Sequence, residues 1–198
     1  MSVVSAAWSR LVVLAGCCLA VAGCNAMTPD EIARDQPELR IEEYFLGETR
    51  AYGIFEDRFG RIRRQFVVDI VGYDDDGTFV LDEDFHYADG ARERRTWRIT
   101  ATGADSYEGT ADDVVGKALG VVDGNTINWR YSMDLKVGDG TWRVKFDDWM
   151  LLQEDGVLIN RARVSRWGIE IGSVSLAFRK PDARLPQHAG GASVAAVP

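Results

Sequence analysis

The sequence predicts an all-β protein, in which an antiparallel up-and-down meander of about 8–10 strands closes into a barrel after one short N-terminal helix. Three observations carry this prediction. Apolar and polar residues alternate with a period of two through most of the chain, turn residues separate the runs, and helical spacing occurs once. A meander of this length avoids open edges by closing on itself.

The helix is predicted in "LRIEEYF", where Leu39, Ile41, Tyr44 and Phe45 recur near helical spacing. After this stretch the period changes to two. The clearest strand is "TINWRYSMDL", which has one apolar and one polar face. Such a run is typical of a half-buried antiparallel strand. Its apolar face carries Ile127, Trp129, Tyr131, Met133 and Leu135.

Eight further runs alternate in the same way. They are "RQFVVDIVGY", "TFVLDEDFHY", "RRTWRITATG", "DSYEGTADD", "KALGVVDG", "TWRVKFDDWMLL", "VLINRARVSRW" and "EIGSVSLAFRK". The turn signals between runs are "DDDG", "ADG", "TGAD", "DGN", "GDG", "EDG" and "WG". Together these runs predict a barrel domain over residues 38–180.

All three cysteines lie in "CCLAVAGC", residues 17–24. The apolar run that begins at Leu11 is too short for a transmembrane helix, which needs about 20 residues. It fits a signal peptide, and "VAGC" resembles the lipobox of bacterial lipoproteins, in which the cysteine receives a diacylglycerol. We therefore predict a signal peptide over 1–23 and lipidation of Cys24. Cys17 in "LAGC" is a competing site that leaves a shorter apolar segment.

The predicted mature chain begins at Cys24 and keeps no second cysteine, which rules out an intramolecular disulfide. Residues 24–37 are expected to be a lipidated tether, and 181–198, rich in Pro, Gly and Ala, a disordered tail. Several acyl chains make a lasting membrane anchor. The lipobox resemblance implies the bacterial cell envelope, and Asn25, rather than Asp, favours the outer membrane, facing the periplasm.

A net charge of -8 without a basic face argues against nucleic-acid binding. No sequence motif indicates a metal site, an organic cofactor or a catalytic residue. The chain lacks G-x-S-x-G, H-E-x-x-H, a P-loop and a dinucleotide fingerprint. "GYDDDGTFVLDE" resembles a calcium loop only in part, because Gly72 occupies the first ligand position, and a hairpin turn explains it better.

Acidic residues interrupt two apolar strand faces. Glu83 lies among Phe79, Leu81, Phe85 and Tyr87, and Asp148 lies among Trp142, Val144, Phe146 and Met150. A buried carboxylate must be protonated, hydrated or paired, and "INRAR" supplies Asn160 or Arg161, depending on register. This cluster is predicted to fix strand register, to form the polar end of a ligand pocket, or to act as paired catalytic carboxylates.

Two tryptophans, on neighbouring strands, are predicted to face the interior of the barrel. Trp129 and Trp142 both lie on apolar faces. Large interior aromatic residues fit a barrel that side chains fill, and they equally fit the wall of a ligand pocket.

Four strings occur in order along the chain: "LDEDF", "TADDVVG", "FDDWM" and "INRARVSRWG". On these strings the chain resembles the bacterial lipoproteins grouped as domain of unknown function 3833. The resemblance implies a lipocalin-type barrel over about residues 38–180 and no established activity. The genes of this family often lie beside genes for membrane-lipid-modifying enzymes.

The leading functional hypothesis is therefore a membrane-anchored lipoprotein that binds or handles a lipid or another apolar molecule. The alternative is a structural or interaction lipoprotein, with a barrel filled by side chains, that contacts an envelope partner. An enzyme is the third hypothesis.

Overall fold

The structure, a computed structural model, describes residues 32–181. These residues form a closed antiparallel barrel of ten strands preceded by one short helix, which confirms the predicted fold class. The predicted signal peptide, Cys24 and residues 182–198 of the predicted tail lie outside the described residues.

The helix α1 spans Ile41–Phe45. No helix in the described part of the chain is long and apolar enough to cross a membrane. The strands are β1 Gly47–Asp57, β2 Ile62–Asp75, β3 Thr78–Tyr87, β4 Arg92–Ala101, β5 Ser106–Thr110, β6 Ala118–Asp123, β7 Thr126–Val137, β8 Gly140–Leu152, β9 Leu158–Arg166 and β10 Ile169–Arg179.

Each strand pairs with its neighbour in sequence, and β1 pairs with β10 to close the barrel. The nine alternating runs of the sequence correspond to β2–β10 and do not include β1. The inward face of β1 carries small residues, among them Ala51 and Gly53, so its apolar alternation is weak. A Cβ on Gly53 would lie 2.6 Å from the ring of Phe66, so the missing side chain makes room for an aromatic residue on β2.

One end of the barrel, here named the capped end, is covered by α1 and the residues before it. Leu39, Ile41 and Phe45 are buried in the main hydrophobic cluster. The Leu39 N–H donates to the Gly124 carbonyl over 2.9 Å, and the Tyr44 hydroxyl donates to the Phe178 carbonyl over 3.2 Å. These contacts join α1 to opposite sides of the wall, which fixes it across this end.

The opposite end, here named the open end, is formed by the β1–β2, β3–β4, β7–β8 and β9–β10 hairpins. Strands β5 and β6 are too short to reach it. Residues 111–117 extend the wall instead: the Val115 N–H donates to the Ser132 carbonyl, and the Asp134 N–H donates to the Asp113 carbonyl, both over 2.8 Å. The string "TADDVVG" thus closes the wall between β4 and β7.

The acid-rich string "GYDDDG" is a hairpin turn. Asp75 pairs with Thr78, which leaves a two-residue connection of Asp76 and Gly77 with φ of 54° and 82°. Asp-Gly is the pair that such a turn favours, because both positions need positive φ. The Gly77 N–H also donates to the Asp74 carboxylate over 3.1 Å.

Candidate functional site

A cluster of polar side chains lies inside the barrel at about half its height, and we name it the polar cluster. Glu83 on β3 and Arg95 on β4 are cross-strand partners, so their side chains share the inward face. Its six members are Glu83, Arg95, Asp113, Tyr131, Asp148 and Asn160.

Arg95 is the cation of the polar cluster. Its guanidinium donates to the Asp113 carboxylate through Nη2 over 2.8 Å and through Nε over 3.1 Å. Its Nη1 lies 3.7 Å from Glu83 Oε2, and only 19% of the Arg95 side chain and 14% of the Glu83 side chain are exposed. The bidentate pair also attaches the 111–117 segment to β4, because Asp113 belongs to that segment.

Asp148 occupies the other side of the polar cluster. The Tyr131 hydroxyl donates to Asp148 Oδ2 over 3.2 Å, and the Asn160 amide donates to Asp148 Oδ1. The same amide nitrogen donates to the Trp149 carbonyl over 3.2 Å. Within the described residues, no buried side-chain nitrogen or oxygen lacks a hydrogen-bond partner. The polar cluster is therefore internally satisfied.

Burial raises the pKa of both interior acids. Desolvation is the largest cause for Glu83 and raises its pKa to about 7, against the opposing effect of Arg95 and a hydrogen bond from Trp97. Desolvation likewise raises the pKa of Asp148 to about 6, although the hydrogen bonds from Asn160 and Tyr131 lower it. Both carboxyl groups therefore titrate close to neutral pH.

Charge in the polar cluster is unbalanced, since three carboxyl groups face one guanidinium. Burial lowers the pKa of Arg95, but the hydrogen bond to Asp113 and the charges of Glu83 and Asp113 raise it by more. The net pKa lies above the usual value for arginine, so the guanidinium stays charged. The cluster suits a ligand group that donates hydrogen bonds or carries positive charge. Among the described residues, no group of three or more His, Cys, Asp or Glu side chains is arranged to hold a metal ion.

Aromatic side chains line the interior between the polar cluster and the open end. On one side Phe66, Phe85 and Tyr87 are neighbours, with ring centroids 5.5–6.1 Å apart. On the other side Tyr131 stacks on Phe146 at 4.8 Å. All five are partly exposed although they point inward. Because hydrogen-bonded strands close the wall, solvent reaches these rings through the open end.

The register places Asn160 and Arg161 on opposite faces. Asn160 is 3% exposed and contacts Asp148, whereas Arg161 lies on the outer face and is exposed. The interior cluster predicted from the sequence therefore needs a correction, because Arg161 does not belong to it. Alternation along β9 permits only one of two consecutive residues to point inward.

The structure also separates the two predicted wall tryptophans. Trp129 is 8% exposed and packs over β6, where a Cβ on Gly120 would lie 2.9 Å from its ring. Trp142 is 37% exposed at the open end, beneath the Arg166 guanidinium at 4.2 Å. Trp129 is thus a core residue and Trp142 a rim residue, and the prediction that both line one ligand wall is wrong.

Three members of the polar cluster were missed in the sequence. Arg95 shares an inward face with Trp97 and Ile99, so the sequence carried the same signal that identified Glu83. The alternation along β7 places Tyr131 on an apolar face and gives no sign of its hydrogen bond to Asp148. Asp113 stood in one of the four strings, but its role depends on the non-strand path of residues 111–117, which alternation does not predict.

Two open depressions lie on the wall and at the capped end of the barrel, and the first includes Asn160 of the polar cluster in its lining. The larger, about 690 Å³, crosses the outer face of strands β9, β10, β1, β2 and β3, and Ile159, Tyr52 and Val67 line it. The smaller, about 510 Å³, lies at the capped end beside Arg34 and Asn125.

Comparison with known proteins identifies a family for the chain. A family model described as "Protein of unknown function (DUF3833)" matches residues 18–180 of the chain. No curated protein matches the chain.

Proposed function

We propose that the chain, which belongs to the DUF3833 family, is a lipid-anchored protein of the bacterial cell envelope whose barrel binds a lipid or another apolar molecule through its open end. The observation that carries the proposal is the set of partly exposed, inward-facing aromatic rings above the polar cluster. Concave apolar surface with a few convergent polar groups is the usual form of a small-molecule site.

The two parts of this interior suit the two parts of an amphiphile. An apolar body would contact Phe66, Phe85 and Phe146, while a polar group would reach Glu83 or Asp148. The capped end contributes no space, because α1 and Phe178 fill it. The ligand therefore enters and leaves through the open end.

Solvent extraction and lipid titration test the ligand. The purified full chain is extracted with organic solvent, the extract is analysed by mass spectrometry, and tryptophan emission is followed as a lysolipid with an ammonium-bearing headgroup is added. We expect extracted lipid or a saturable change in emission, and weaker binding for Phe146→Ala. Val67→Ala, on the outer face, is the matched control and should bind normally. No lipid in the extract and no change in emission up to the solubility limit would reject this site.

The anchor has a separate test. Cys24→Ser should abolish partition of the mature protein into the detergent phase, and the mass of the N-terminal peptide should include a diacylglycerol on Cys24. A mature chain that begins at Cys17, or one that still begins at Met1, would contradict the assignment. The proposed outer-membrane location is tested by separating inner and outer membranes before the protein is detected.

A second candidate function is an interaction role on the outer face. The larger depression favours it, because Tyr52 and Ile159 expose 48% and 45% of their surface there. The satisfied polar cluster also fits a barrel that needs no ligand. Failure of lipid binding together with loss of a co-purified envelope protein in Tyr52→Ser would favour this candidate.

A further inference from the structure

We propose that one side of the open end is a docking surface for an anionic lipid bilayer, separate from the proposed anchor at Cys24. The surface, here named the apolar rim, consists of the tips of three hairpins, β1–β2, β7–β8 and β9–β10. Its side chains are Phe59, Ile62, Trp142, Trp167 and Ile169. The inference goes beyond ligand binding inside the barrel and does not require it.

Exposure is the first observation. Trp167 is 85% exposed, Phe59 71% and Ile169 58%. They are large apolar residues at hairpin tips, where turns ordinarily carry small or polar residues. Single exposed apolar residues are common on protein surfaces, but several at one end of a barrel mark an interaction site.

The three tips are neighbours. Strand β1 pairs with β10 and β8 pairs with β9, so the hairpins follow one another around the rim. The Arg58 N–H donates to the Ile171 carbonyl over 3.0 Å, which joins the first hairpin to the third. The Arg166 guanidinium lies 4.2 Å from the Trp142 ring centroid and 4.1 Å from that of Trp167, which joins the second to the third.

The backbone at Trp167 is the second, independent observation. Arg166 pairs with Ile169, so the turn consists of Trp167 and Gly168, with φ of 53° and 80°. Both positions of this turn favour Gly, Asn or Asp, and a bulky side chain at positive φ is a rare and unfavourable choice. The equivalent β2–β3 turn uses Asp76 and Gly77 at similar angles. A tryptophan kept in a strained turn and exposed to solvent points to a role outside folding.

The residue types suit the interface of a membrane. Tryptophan concentrates at the boundary between headgroups and acyl chains, and arginine binds anionic headgroups. Arg58 and Arg166 stack on rim aromatics at 4.7 Å and 4.1 Å. Residues 56–63, 134–145 and 165–171 hold seven basic and five acidic side chains, although the whole chain has a net charge of -8. These three segments therefore carry a local excess of two positive charges, and Arg58 and Arg166 lie directly beside the rim aromatics.

The β3–β4 hairpin, at the same end, lacks these features. Its tip is Ala88, Asp89, Gly90 and Ala91, without a large apolar residue. Docking through the other three tips would leave this side of the opening lifted from the bilayer, beside the partly exposed ring of Tyr87. A lipid could then pass between membrane and barrel without the barrel inserting.

The chain length permits this orientation. Ten residues separate Cys24 from Arg34, which lies at the capped end, and they span about 33 Å when extended. A strand of 11 residues, such as β1, covers about 28 Å of barrel height at a typical tilt of about 40°. An anchor at Cys24 and the apolar rim can thus reach the same bilayer.

Fluorescence quenching by membranes tests the inference. The full chain is reconstituted into phosphatidylcholine vesicles that contain acyl chains brominated near the headgroup, with or without phosphatidylglycerol. We expect quenching of tryptophan emission with the anionic lipid and about twofold less quenching in Trp167→Asn. Asn is also better suited than Trp to positive φ, so this variant should unfold at an equal or higher urea concentration. Loss of quenching without loss of stability separates docking from folding.

Charge variants complete the test. Arg58→Glu combined with Arg61→Glu should remove the dependence on phosphatidylglycerol, whereas Arg92→Glu combined with Arg94→Glu, on the β3–β4 hairpin, should retain it. Equal quenching in wild type and Trp167→Asn, or equal quenching with and without anionic lipid, would overturn the inference. Each comparison is a difference between two matched samples, either two variants or two vesicle compositions, so a constant contribution from lipid inside the barrel or from the anchor cancels.

Discussion

The capped and open ends of this barrel share the same strands and the same alternation but differ in what covers their inward faces. At the capped end Val68, Ile70 and Phe178 are at most 7% exposed, because α1 lies over them. At the open end Phe66, Phe85 and Phe146 point inward and stay partly exposed. Alternation therefore decides which residues point inward. Burial depends on local packing as well as on the end of the barrel, because a second hydrophobic cluster of Met133, Val144 and Val164 is buried toward the open end.

The hairpin turns at the two ends also differ, in how well their residues suit the backbone angles. The β2–β3 turn at the capped end has Asp76 and Gly77, the residues that its backbone angles favour. The β9–β10 turn at the open end has a tryptophan at the first position of the same kind of turn. Local preference and structure agree at the end that serves stability, and they conflict at the end that we associate with binding.

The largest expected effect compares two phenylalanines, one from each end. Phe45→Ala should lower the free energy of unfolding by about 3–5 kcal/mol, because the cavity would lie in a packed core. Phe85→Ala should cost about 1–2 kcal/mol, because water already reaches that ring. Urea unfolding of the full chain measures both. Equal losses would show that the two ends are packed alike and would remove the basis of the comparison.

The next effect concerns the boundary between the two ends. Arg95→Met should destabilise the fold by about 2–4 kcal/mol, because Glu83 and Asp113 would lose their cation. Arg94→Met is the matched control: the adjacent side chain is 85% exposed and pairs with Asp84 on the surface, so its loss should cost less than about 0.5 kcal/mol. If the two variants unfold at the same urea concentration, the polar cluster contributes no more than a surface ion pair.

The smallest expected effect is a change in the free energy of unfolding with pH. Because the pKa of Glu83 is about 7 in the folded protein and 4.5 ordinarily, the folded state binds more protons than the unfolded state between these values. The contribution of Glu83 is therefore greatest below pH 4.5 and falls, by up to about 3 kcal/mol, as the pH rises through about 7. Asp148, whose pKa is raised to about 6, adds a decline of its own below about pH 6, so Glu83→Gln should remove mainly the decline between about pH 6 and 7.

Unfolding midpoints at several pH values in this interval, for wild type and Glu83→Gln, measure the effect. Asp84→Asn, one residue along β3 on the outer face, is the control and should keep the wild-type pH dependence. A wild-type stability that rises with pH over this interval, or a Glu83→Gln variant that declines as steeply, would show that Glu83 is solvated.

Several members of the polar cluster could be predicted from the sequence, because they are polar residues on otherwise apolar strand faces. Glu83 and Asp148 interrupt apolar faces, and a strand shows such an interruption directly, since every second residue points the same way. Arg95 carries the same signal. The sequence could not decide whether Asn160 or Arg161 points inward, because a shift of one residue in strand register exchanges the two faces of β9. Only the pairing of β9 with β8 and β10 fixes this register.

The sequence by itself determined the period of two, the turns and the single short helix, because these depend on neighbours a few residues apart. It therefore determined an all-β meander. Only the tertiary structure decided that α1 closes one end, that residues 111–117 carry Asp113 to Arg95, and that Trp129 lies in the core while Trp142 lies at the rim. These outcomes depend on barrel closure, which brings distant segments together and gives its two ends different surroundings.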